Sequence, residues 1–304
     1  MSFKILSLDG GGSKGVYSLG VLREIESILG SPLSDSFDLI YGTSTGSIIA
    51  AFLSLGKSVD EITEKYFSIV PVVMGKSTKL LRSKALAEYT AQEFGSKKFD
   101  EFKTNIGIVA THQDYQKPMI FKLSVEQAHG RKNTFLPGFG CTIADAVIAS
   151  CAAVPFFESK QVVTKNQGSP TLLDGGFVAN NPTLFAIIDA IKAFQLSEEE
   201  IRVLSVGVGN YPIPKPGFVE KIFRQTWPLQ LLETSFVANT NTIEQIRSLV
   251  YSKIPTVRVD ETYSDYQYAT SLLESDVMRL EKLLDLGRES FARFEGDIRD
   301  LISA

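Results

Sequence analysis

The hydrophobic and polar positions at the start of the chain follow one repeated order of elements. Residues 3–8 (FKILSL) are a β-prone apolar run that ends at Gly10, Gly11 and Gly12, and the apolar residues between 16 and 29 then recur at helical spacing. Residues 37–55 repeat this order as an apolar run (FDLIY), a glycine-bounded turn (GTSTG) and a compact apolar helix. The pattern therefore predicts strand, tight loop and helix twice in succession.

The same alternation continues to about residue 210. It predicts strands at 105–111, 121–125, 171–173 and 201–208, and helices at 142–153 and 182–194. Strands that alternate with helices indicate βαβ units, so we expect an α/β fold with a mainly parallel central sheet and helices on both faces. Ligands of such folds bind at the carboxyl ends of the strands, where each glycine-rich motif of this chain falls.

The pattern changes after residue 210. A proline-rich connector (YPIPKPGF) leads to helical patterns at 230–250 and 272–302, which residues 255–268 separate. We expect these helices to pack on the same domain and to close one side of it. The chain is thus predicted to be a single domain over 1–304, with an α/β core over 1–210 and a mostly helical closing segment over 211–304.

The composition is that of an ordinary globular protein. Hydrophobic residues make up 44% of the chain and charged residues 22%, which is enough apolar material for a sizeable core. The net charge is −4, from 31 basic and 35 acidic side chains that are interspersed. We therefore expect no overall field that would draw the chain onto polymeric nucleic acid or onto an anionic membrane.

Cysteine content and the length of the apolar runs both bear on the cellular compartment. Cys141 and Cys151 are too few for a disulfide framework or a cysteine-based zinc site, so we interpret them as small buried hydrophobes. No secretory signal and no apolar run of about 18 residues occurs in the sequence. We expect a cytoplasmic protein that is at most peripheral at the inner face of the membrane.

A candidate nucleophile lies in the second glycine motif. Ser44 is the serine of a GxSxG between a predicted strand and a predicted helix, and Gly42 and Gly46 would let the backbone make a sharp elbow. Such an elbow lifts the serine hydroxyl out of the sheet and places it at a helix N-terminus, whose partial positive charge favours an oxyanion. The alternative is a plain glycine turn.

A serine nucleophile needs a base that takes its proton. His112 follows a predicted strand, whereas His129 lies in a polar run typical of a solvated loop. Asp174 is the better candidate, because this carboxylate ends a strand and is followed by Gly175 and Gly176. An Asp-Gly-Gly sequence also occurs as a simple turn.

Acyl transfer also needs donors aimed at the developing oxyanion. Gly10, Gly11 and Gly12 expose backbone N–H groups without side chains in the way, and Lys14 adds a positive charge. The same loop chemistry suits a phosphate, so this motif alone leaves ester hydrolysis and nucleotide binding both open.

Taken together, DGGGSKG, GTSTG and DGG occur in the order found in the patatin-like phospholipase family, which this chain closely resembles. The blocks KILSLDGGGSKG, DLIYGTSTGSIIA, AVIASCAAVPFF, LLDGGFVANNPTLFA and VLSVGVG extend the resemblance over residues 1 to about 210, and RVD at 258–260 resembles the closing segment of the family. The resemblance implies a three-layer α/β/α fold, a catalytic dyad of Ser44 and Asp174, and an oxyanion hole of Gly10, Gly11 and Gly12.

The implied activity is that of a serine carboxylic-ester hydrolase of the phospholipase A or lysophospholipase type, acting on fatty acyl esters of glycerolipids at a membrane surface without metal or cofactor.

Lys14 departs from the arginine that is usual in the family. It keeps the positive charge and loses the planar guanidinium, which can bind two acceptors at once. Bacterial members include antiphage effectors that cyclic nucleotides activate, which adds a cyclic-nucleotide activator to the hypotheses. The apolar stretch 222–236 is core packing of the C-terminal helices, a wall of an acyl-chain pocket or a membrane-facing lip.

Two other functions fit parts of the sequence. An ATP-dependent sugar kinase of the actin-like fold also opens with a strand and a DGGGSK-type phosphate loop, but there the loop leads into a second strand, whereas residues 16–29 have helical spacing here. A non-catalytic lipid- or nucleotide-binding module would need neither Ser44 nor Asp174. Cleavage of a chromogenic fatty acyl ester would separate these two hypotheses from a hydrolase.

Overall fold

The computed structural model describes residues 2–214 and 226–303. Its eight strands form one sheet. They are β1 (Phe3–Leu8), β2 (Leu39–Thr43), β3 (Asn105–His112), β4 (Lys117–Lys122), β5 (Lys160–Gln161), β6 (Thr171–Asp174), β7 (Ile201–Val206) and β8 (Thr256–Val259).

Nine α-helices surround this sheet within the described ranges. They are α1 (Gly15–Leu29), α2 (Thr45–Ser54), α3 (Val59–Met74), α4 (Lys79–Phe94), α5 (Ile143–Ser150), α6 (Gly176–Ala179), α7 (Thr183–Lys192), α8 (Thr226–Val250) and α9 (Val277–Ser303). Short 3-10 turns link several of these elements.

The sheet is mixed and mainly parallel, as the sequence predicts. Its strand order is β5-β6-β3-β2-β1-β7-β8, with β4 paired to β3. The five strands from β3 to β8 along this order run parallel, while β4, β6 and β5 add antiparallel pairs at one side. The carboxyl ends of β1 and β2 are neighbours, so the loops that follow them meet at one edge.

Alternate residues of β1 feed the two cores on opposite faces of the sheet. Leu6 and Leu8 join the larger core, to which α1 to α5 and α9 contribute, whereas Ile5 joins a smaller core with residues of α6 and α7. The parallel strands β1, β2, β3 and β7 are therefore buried on both faces, which explains why they read as continuous apolar runs. Helices on both faces of the sheet confirm the predicted layer arrangement.

Several elements lie where the sequence patterns do not place them. The patterns name no helix between residues 55 and 105, where α3 and α4 lie, and they treat 255–268 as a separator, which contains β8. The last helix begins at Val277 and not at 272, because Leu272 belongs to a loop that accepts a hydrogen bond from the Ser13 amide at 3.0 Å. The predicted strand 121–125 lies earlier, at Lys117–Lys122, where it pairs with β3.

The connector after residue 210 is described only to residue 214, and residues 222–225 of the apolar stretch lie outside the described residues. Over the ranges that are described, no helix is long and apolar enough to cross a membrane.

Candidate active site

Ser44 stands at the junction of β2 and α2 with an unusual backbone conformation. Its φ is 51° and its ψ is −122°, a strained region for a residue that carries a side chain. A Cβ at Gly42 would collide with the backbone of Gly46, and a Cβ at Gly46 with the carbonyl oxygen of Leu8. Glycine at both positions therefore allows the close backbone contacts of this turn. The backbone strain lies at Ser44 itself, the residue that carries the hydroxyl.

The hydroxyl of Ser44 is directly paired with the carboxylate of Asp174. Ser44 Oγ donates to Asp174 Oδ2 at 2.7 Å, and the Gly176 amide donates to the other oxygen, Oδ1, at 2.7 Å. Ser44 is 7% exposed and Asp174 is fully buried. Burial raises the pKa of Asp174 to about 7, against the smaller lowering effect of these two hydrogen bonds. The pair thus has the geometry of a nucleophile and a general base.

Asp174 reaches Ser44 from an antiparallel strand. The carboxyl ends of parallel strands share one edge of a sheet, but β6 runs against β3, so that rule does not account for the position of Asp174. The strand register accounts for this position. Asp174 is opposite Ala110 on β3, and Val109, which precedes Ala110, is opposite Thr43 on β2. The strand β3 therefore aligns Thr43, the residue before Ser44, with Asp174.

Ser150, which sequence reasoning missed, holds both halves of the pair. Its Oγ accepts the Ser44 amide at 2.8 Å and donates to the Val109 carbonyl at 2.5 Å. Its carbonyl oxygen accepts the Gly175 amide at 3.2 Å. The only sequence signal was its position as a lone polar residue in the apolar block AVIASCAAV.

The glycine loop after β1 offers two unpaired amides. Of the three glycines predicted to form an oxyanion hole, Gly10 donates its amide to the Asn180 carbonyl at 3.0 Å and is therefore occupied. The Gly11 and Gly12 amides have no hydrogen-bond partner among the described residues. Gly12 has a φ of +57°, and a Cβ there would collide with the carbonyl oxygen of Leu272. Its carbonyl accepts the Tyr66 hydroxyl at 3.1 Å, which helps fix the loop.

A buried ion pair anchors the start of the same loop. Arg258 on β8 donates to both oxygens of Asp9 at 2.9 and 2.6 Å and also contacts Asp260 at 2.6 Å. Burial raises the pKa of Asp9 and the guanidinium of Arg258 opposes that rise. This bidentate contact joins Asp9, the residue after β1, to Arg258 of the RVD sequence in the closing segment.

Lys14 is also engaged. Its Nζ lies 3.6 Å from Glu233 Oε1 on α8, and both side chains are largely buried. The same carboxylate oxygen accepts the Leu272 amide at 2.7 Å. Lys14 therefore connects the glycine loop to α8 and to the loop before α9.

Neither histidine contacts the pair. The ring of His112 lies against Tyr115 at 4.5 Å between centroids, and its Nδ1 has no partner among the described residues. His129 Nε2 is 2.6 Å from Asp189, a buried carboxylate that also accepts from Lys122 and Gln127. This cluster lies toward the beginning of β3, where Lys122 is opposite Gly107, and none of these hydrogen bonds involves Ser44 or Asp174.

An apolar cavity opens beside Ser44. Its walls come from α3, α4, α8 and the segments around Cys151 and Leu272. The apolar lining residues include Ile48, Val70, Val73, Met74, Leu86, Phe156, Phe157, Leu229, Leu232, Phe236 and Leu273. Leu229, Leu232 and Phe236 belong to the predicted apolar stretch, so its described part does form a wall of this cavity. Among the described residues, no cluster of three or more His, Cys, Asp or Glu could hold a metal ion.

The kinase hypothesis is wrong on local structure. The glycine loop leads through a 3-10 turn (Gly12–Lys14) into α1 and not into a second hairpin strand. The later GTSTG and DGG motifs, which that hypothesis leaves unexplained, meet in the hydrogen bond between Ser44 and Asp174.

Comparisons with known proteins agree with this geometry. The family model described as patatin-like phospholipase matches residues 6–187. A cUMP-AMP-activated phospholipase of Escherichia coli is 48% identical, over 98% of this chain and 93% of that protein. A cGAMP-activated phospholipase of Vibrio cholerae is 29% identical over 68% of this chain, and the match spans 63% of that protein. The crystal structure of VipD from Legionella pneumophila has a similar fold, with a TM-score of 0.51 at 13% identity, covering 99% of this chain and 67% of that one.

Proposed function

Because the chain belongs to the patatin-like phospholipase family, a family of lipid ester hydrolases, we propose that it hydrolyses fatty acyl esters of glycerolipids, with Ser44 as nucleophile and Asp174 as general base. One observation carries the assignment. The Ser44 hydroxyl donates to a buried carboxylate at 2.7 Å, at the wall of an apolar cavity. A hydroxyl, its base and an acyl-binding surface are the parts that ester cleavage needs.

In the first step, Asp174 takes the proton of Ser44 Oγ while this oxygen attacks the ester carbonyl carbon. The tetrahedral intermediate collapses to an acyl-serine, and the leaving alkoxide receives the proton from Asp174. A water molecule then gives its proton to Asp174 and attacks the acyl-serine. The second collapse releases the fatty acid and returns the proton to Ser44 Oγ.

The oxyanion of both intermediates is assigned to the Gly11 and Gly12 amides. These are the loop amides without a partner among the described residues, and Gly12 lines the same cavity as Ser44. Fixed amides aimed at a developing negative charge stabilise the transition state more than the ground state. The Gly10 amide does not take part, because Asn180 occupies it.

The pKa of Asp174 suits its role as base. A carboxylate with an ordinary pKa would be a weak acceptor for a serine proton. Burial raises the pKa of Asp174 to about 7, which brings its basicity close to that needed at neutral pH while leaving a large fraction ionised.

We extend the proposal to regulation. The 48% identical relative, which matches nearly the whole of this chain, is named for activation by cUMP-AMP. Here we propose that the same class of cyclic dinucleotide switches on hydrolysis, in a role in antiphage defence. Adding cUMP-AMP to the purified protein should raise lipid hydrolysis by about tenfold or more, the size typical of coupling between an effector site and a second site. A rate that does not respond would contradict the proposed regulation.

Product analysis tests the proposed activity. Wild type and Ser44→Ala are each incubated with phosphatidylcholine, phosphatidylglycerol and their lyso forms, with and without cUMP-AMP. Wild type should release free fatty acid and a glycerol-containing product, and Ser44→Ala should release neither. If the folded wild type leaves every lipid intact in both conditions, or if Ser44→Ala matches it, the assignment fails.

A further inference from the structure

The corner between α3 and α4 has a charge opposite to that of the molecule as a whole. Residues 75–84 (GKSTKLLRSK), here called the α3–α4 corner, contain four basic residues and no acidic one, although the net charge of the chain is −4. The basic residues are Lys76, Lys79, Arg82 and Lys84. The net charge of the whole chain does not reveal this local excess of positive charge. An anionic surface would be attracted by the positive charge at the corner.

Two leucines project from the same corner. Leu80 is 64% exposed and Leu81 is 45% exposed, at the first turn of α4. Every residue from 75 to 81 is exposed. Adjacent exposed leucines between cations have the composition of a surface that enters the boundary between lipid headgroups and acyl chains.

Half of the cations of the corner lack a carboxylate partner. Lys79 is 3.3 Å from Glu158 and Lys84 is 3.8 Å from Glu88, both on exposed side chains where ion pairs are weak. Lys76 and Arg82 form no ion pair with any described residue.

Arg82 is partly buried, and its Nε is inaccessible to solvent and has no hydrogen-bond partner in the described structure. Burial lowers the pKa of Arg82. The terminal nitrogens of Arg82 form no hydrogen bond with a described residue and are not among the inaccessible atoms, so they, and not Nε, would donate to a phosphate oxygen.

The corner is continuous with the walls of the acyl cavity. Val73 and Met74 at the end of α3 and Leu86 on α4 line that cavity. Ser83 Oγ accepts the Glu158 amide at 2.8 Å, which links the corner to the residue after Phe157, another lining residue. A surface held at the corner would therefore lie next to the elements through which an acyl chain reaches Ser44.

We propose that the α3–α4 corner is the membrane-docking surface of this protein and that it selects anionic lipid. Leu80 and Leu81 enter the acyl boundary, while Lys76 and Arg82 bind lipid phosphates. This inference rests on the proposed function, because docking at the corner would orient the cavity toward the lipid that the protein is proposed to hydrolyse. It also replaces the expectation, drawn from net charge alone, that nothing favours an anionic membrane.

Vesicle flotation of the Ser44→Ala protein tests docking without hydrolysis of the vesicles. The probes are vesicles of phosphatidylcholine alone and of phosphatidylcholine mixed equally with phosphatidylglycerol. The protein should bind the mixed vesicles more strongly. Lys76→Gln with Arg82→Gln should weaken that binding by about fivefold for each cation, hence roughly 25-fold, the amount expected for basic residues at an anionic surface.

A matched pair separates the corner from total charge. Lys132→Gln with Lys253→Gln removes the same charge from exposed residues outside the corner, one after β4 and one before β8, and should leave vesicle binding unchanged. Equal weakening by both pairs, no weakening by the corner pair, or no preference for anionic vesicles would overturn the proposal. Circular dichroism checks folding, and Lys76→Gln alone, on an exposed loop, should still weaken binding about fivefold. Because the assay uses an inactive protein, its outcome is independent of whether the proposed hydrolysis is correct.

Discussion

At the scale of single residues, the site depends on a carboxylate that is both buried and basic. Asp174 is fully buried, accepts one hydrogen bond on each oxygen, and has no cation among the groups that shift its pKa. Its ionised form is therefore costly in the folded protein. This free-energy cost of burying the charged carboxylate raises its affinity for a proton. It also lowers the stability of the folded protein at neutral and alkaline pH, where the group is ionised.

Asp174→Asn should abolish hydrolysis and stabilise the fold. The amide oxygen can still accept the Gly176 amide, while the amide cannot take a proton at neutral pH. The folded pKa of about 7 exceeds the ordinary value of 3.8, so the stability linked to the protonated group is present below about pH 4 and is lost as pH rises through 7. The gain in free energy of unfolding over wild type should thus be a few kcal/mol at pH 8 and clearly smaller at pH 5. Denaturant unfolding at both pH values measures it, and a destabilised variant at pH 8 would contradict the role of burial.

The two histidines should be dispensable. His112→Ala with His129→Ala should keep most of the hydrolytic activity, because neither ring contacts Ser44 or Asp174. In a serine–histidine–aspartate triad, losing the histidine would be as damaging as losing the serine. An inactive but folded double variant would make His112 the base.

The pH profile follows from the same pKa. In the proposed mechanism Asp174 must be ionised to accept the serine proton, so kcat/KM should rise with pH and reach half its maximum near pH 7. A chromogenic ester that stays dissolved keeps membrane effects out of the measurement. A profile that is flat from pH 5 to 8 would show that no group of this pKa controls the reaction.

Gly11→Ala should lower kcat far more than it changes KM. The added Cβ would lie 2.6 Å from a methyl group of Val208, so the loop must move and the amide must leave its position. Loss of one oxyanion donor costs on the order of 100-fold in kcat. Adding Val208→Ala removes the obstructing methyl groups and should restore much of the rate. A change in KM alone would indicate a substrate-binding loop.

At the scale of elements, helices from both ends of the chain build the frame behind the site. The glycines Gly20 on α1 and Gly287 on α9 lie where these two helices meet, and a Cβ on either would strike the backbone of the other helix. The spacing of apolar residues predicted both helices. It could not predict that they pack against each other, because a glycine within a helical pattern does not indicate which other helix it contacts. The antiparallel β6 was equally hidden, since a four-residue strand reads the same in either direction.

Gly287→Ala should destabilise the fold by roughly 1–3 kcal/mol, because overpacking against the carbonyl of Tyr17 outweighs the better helix propensity of alanine. Gly296 is a matched control in the same helix, since nothing lies within 4 Å of a Cβ built there. Gly296→Ala should stabilise by up to about 1 kcal/mol. Chemical denaturation compares the two, and equal effects would contradict the close contact between α1 and α9.

At the scale of the whole molecule, the motifs were predictable, whereas the sequence indicated only one wall of the cavity, the apolar stretch 222–236. The elbow, the glycine loop and Asp174 could be found because each needs particular residues at fixed spacing. The cavity draws on α3, α4, α8 and the loop at Leu272, which are far apart in sequence and carry only ordinary apolar residues. The Arg258–Asp9 contact likewise joins residues 249 positions apart. The division of the chain into a core over 1–210 and a closing segment stays a prediction.

In the proposed reaction Ser44 forms a covalent bond to the acyl group, and fluorophosphonate labelling followed by peptide mass spectrometry tests for this reactive serine. Wild type should carry one adduct per chain, on the peptide that contains Ser44, whereas Ser44→Ala should carry none and Asp174→Asn should be labelled more slowly. Labelling of folded Ser44→Ala equal to wild type, or an adduct on another serine, would contradict this role of Ser44.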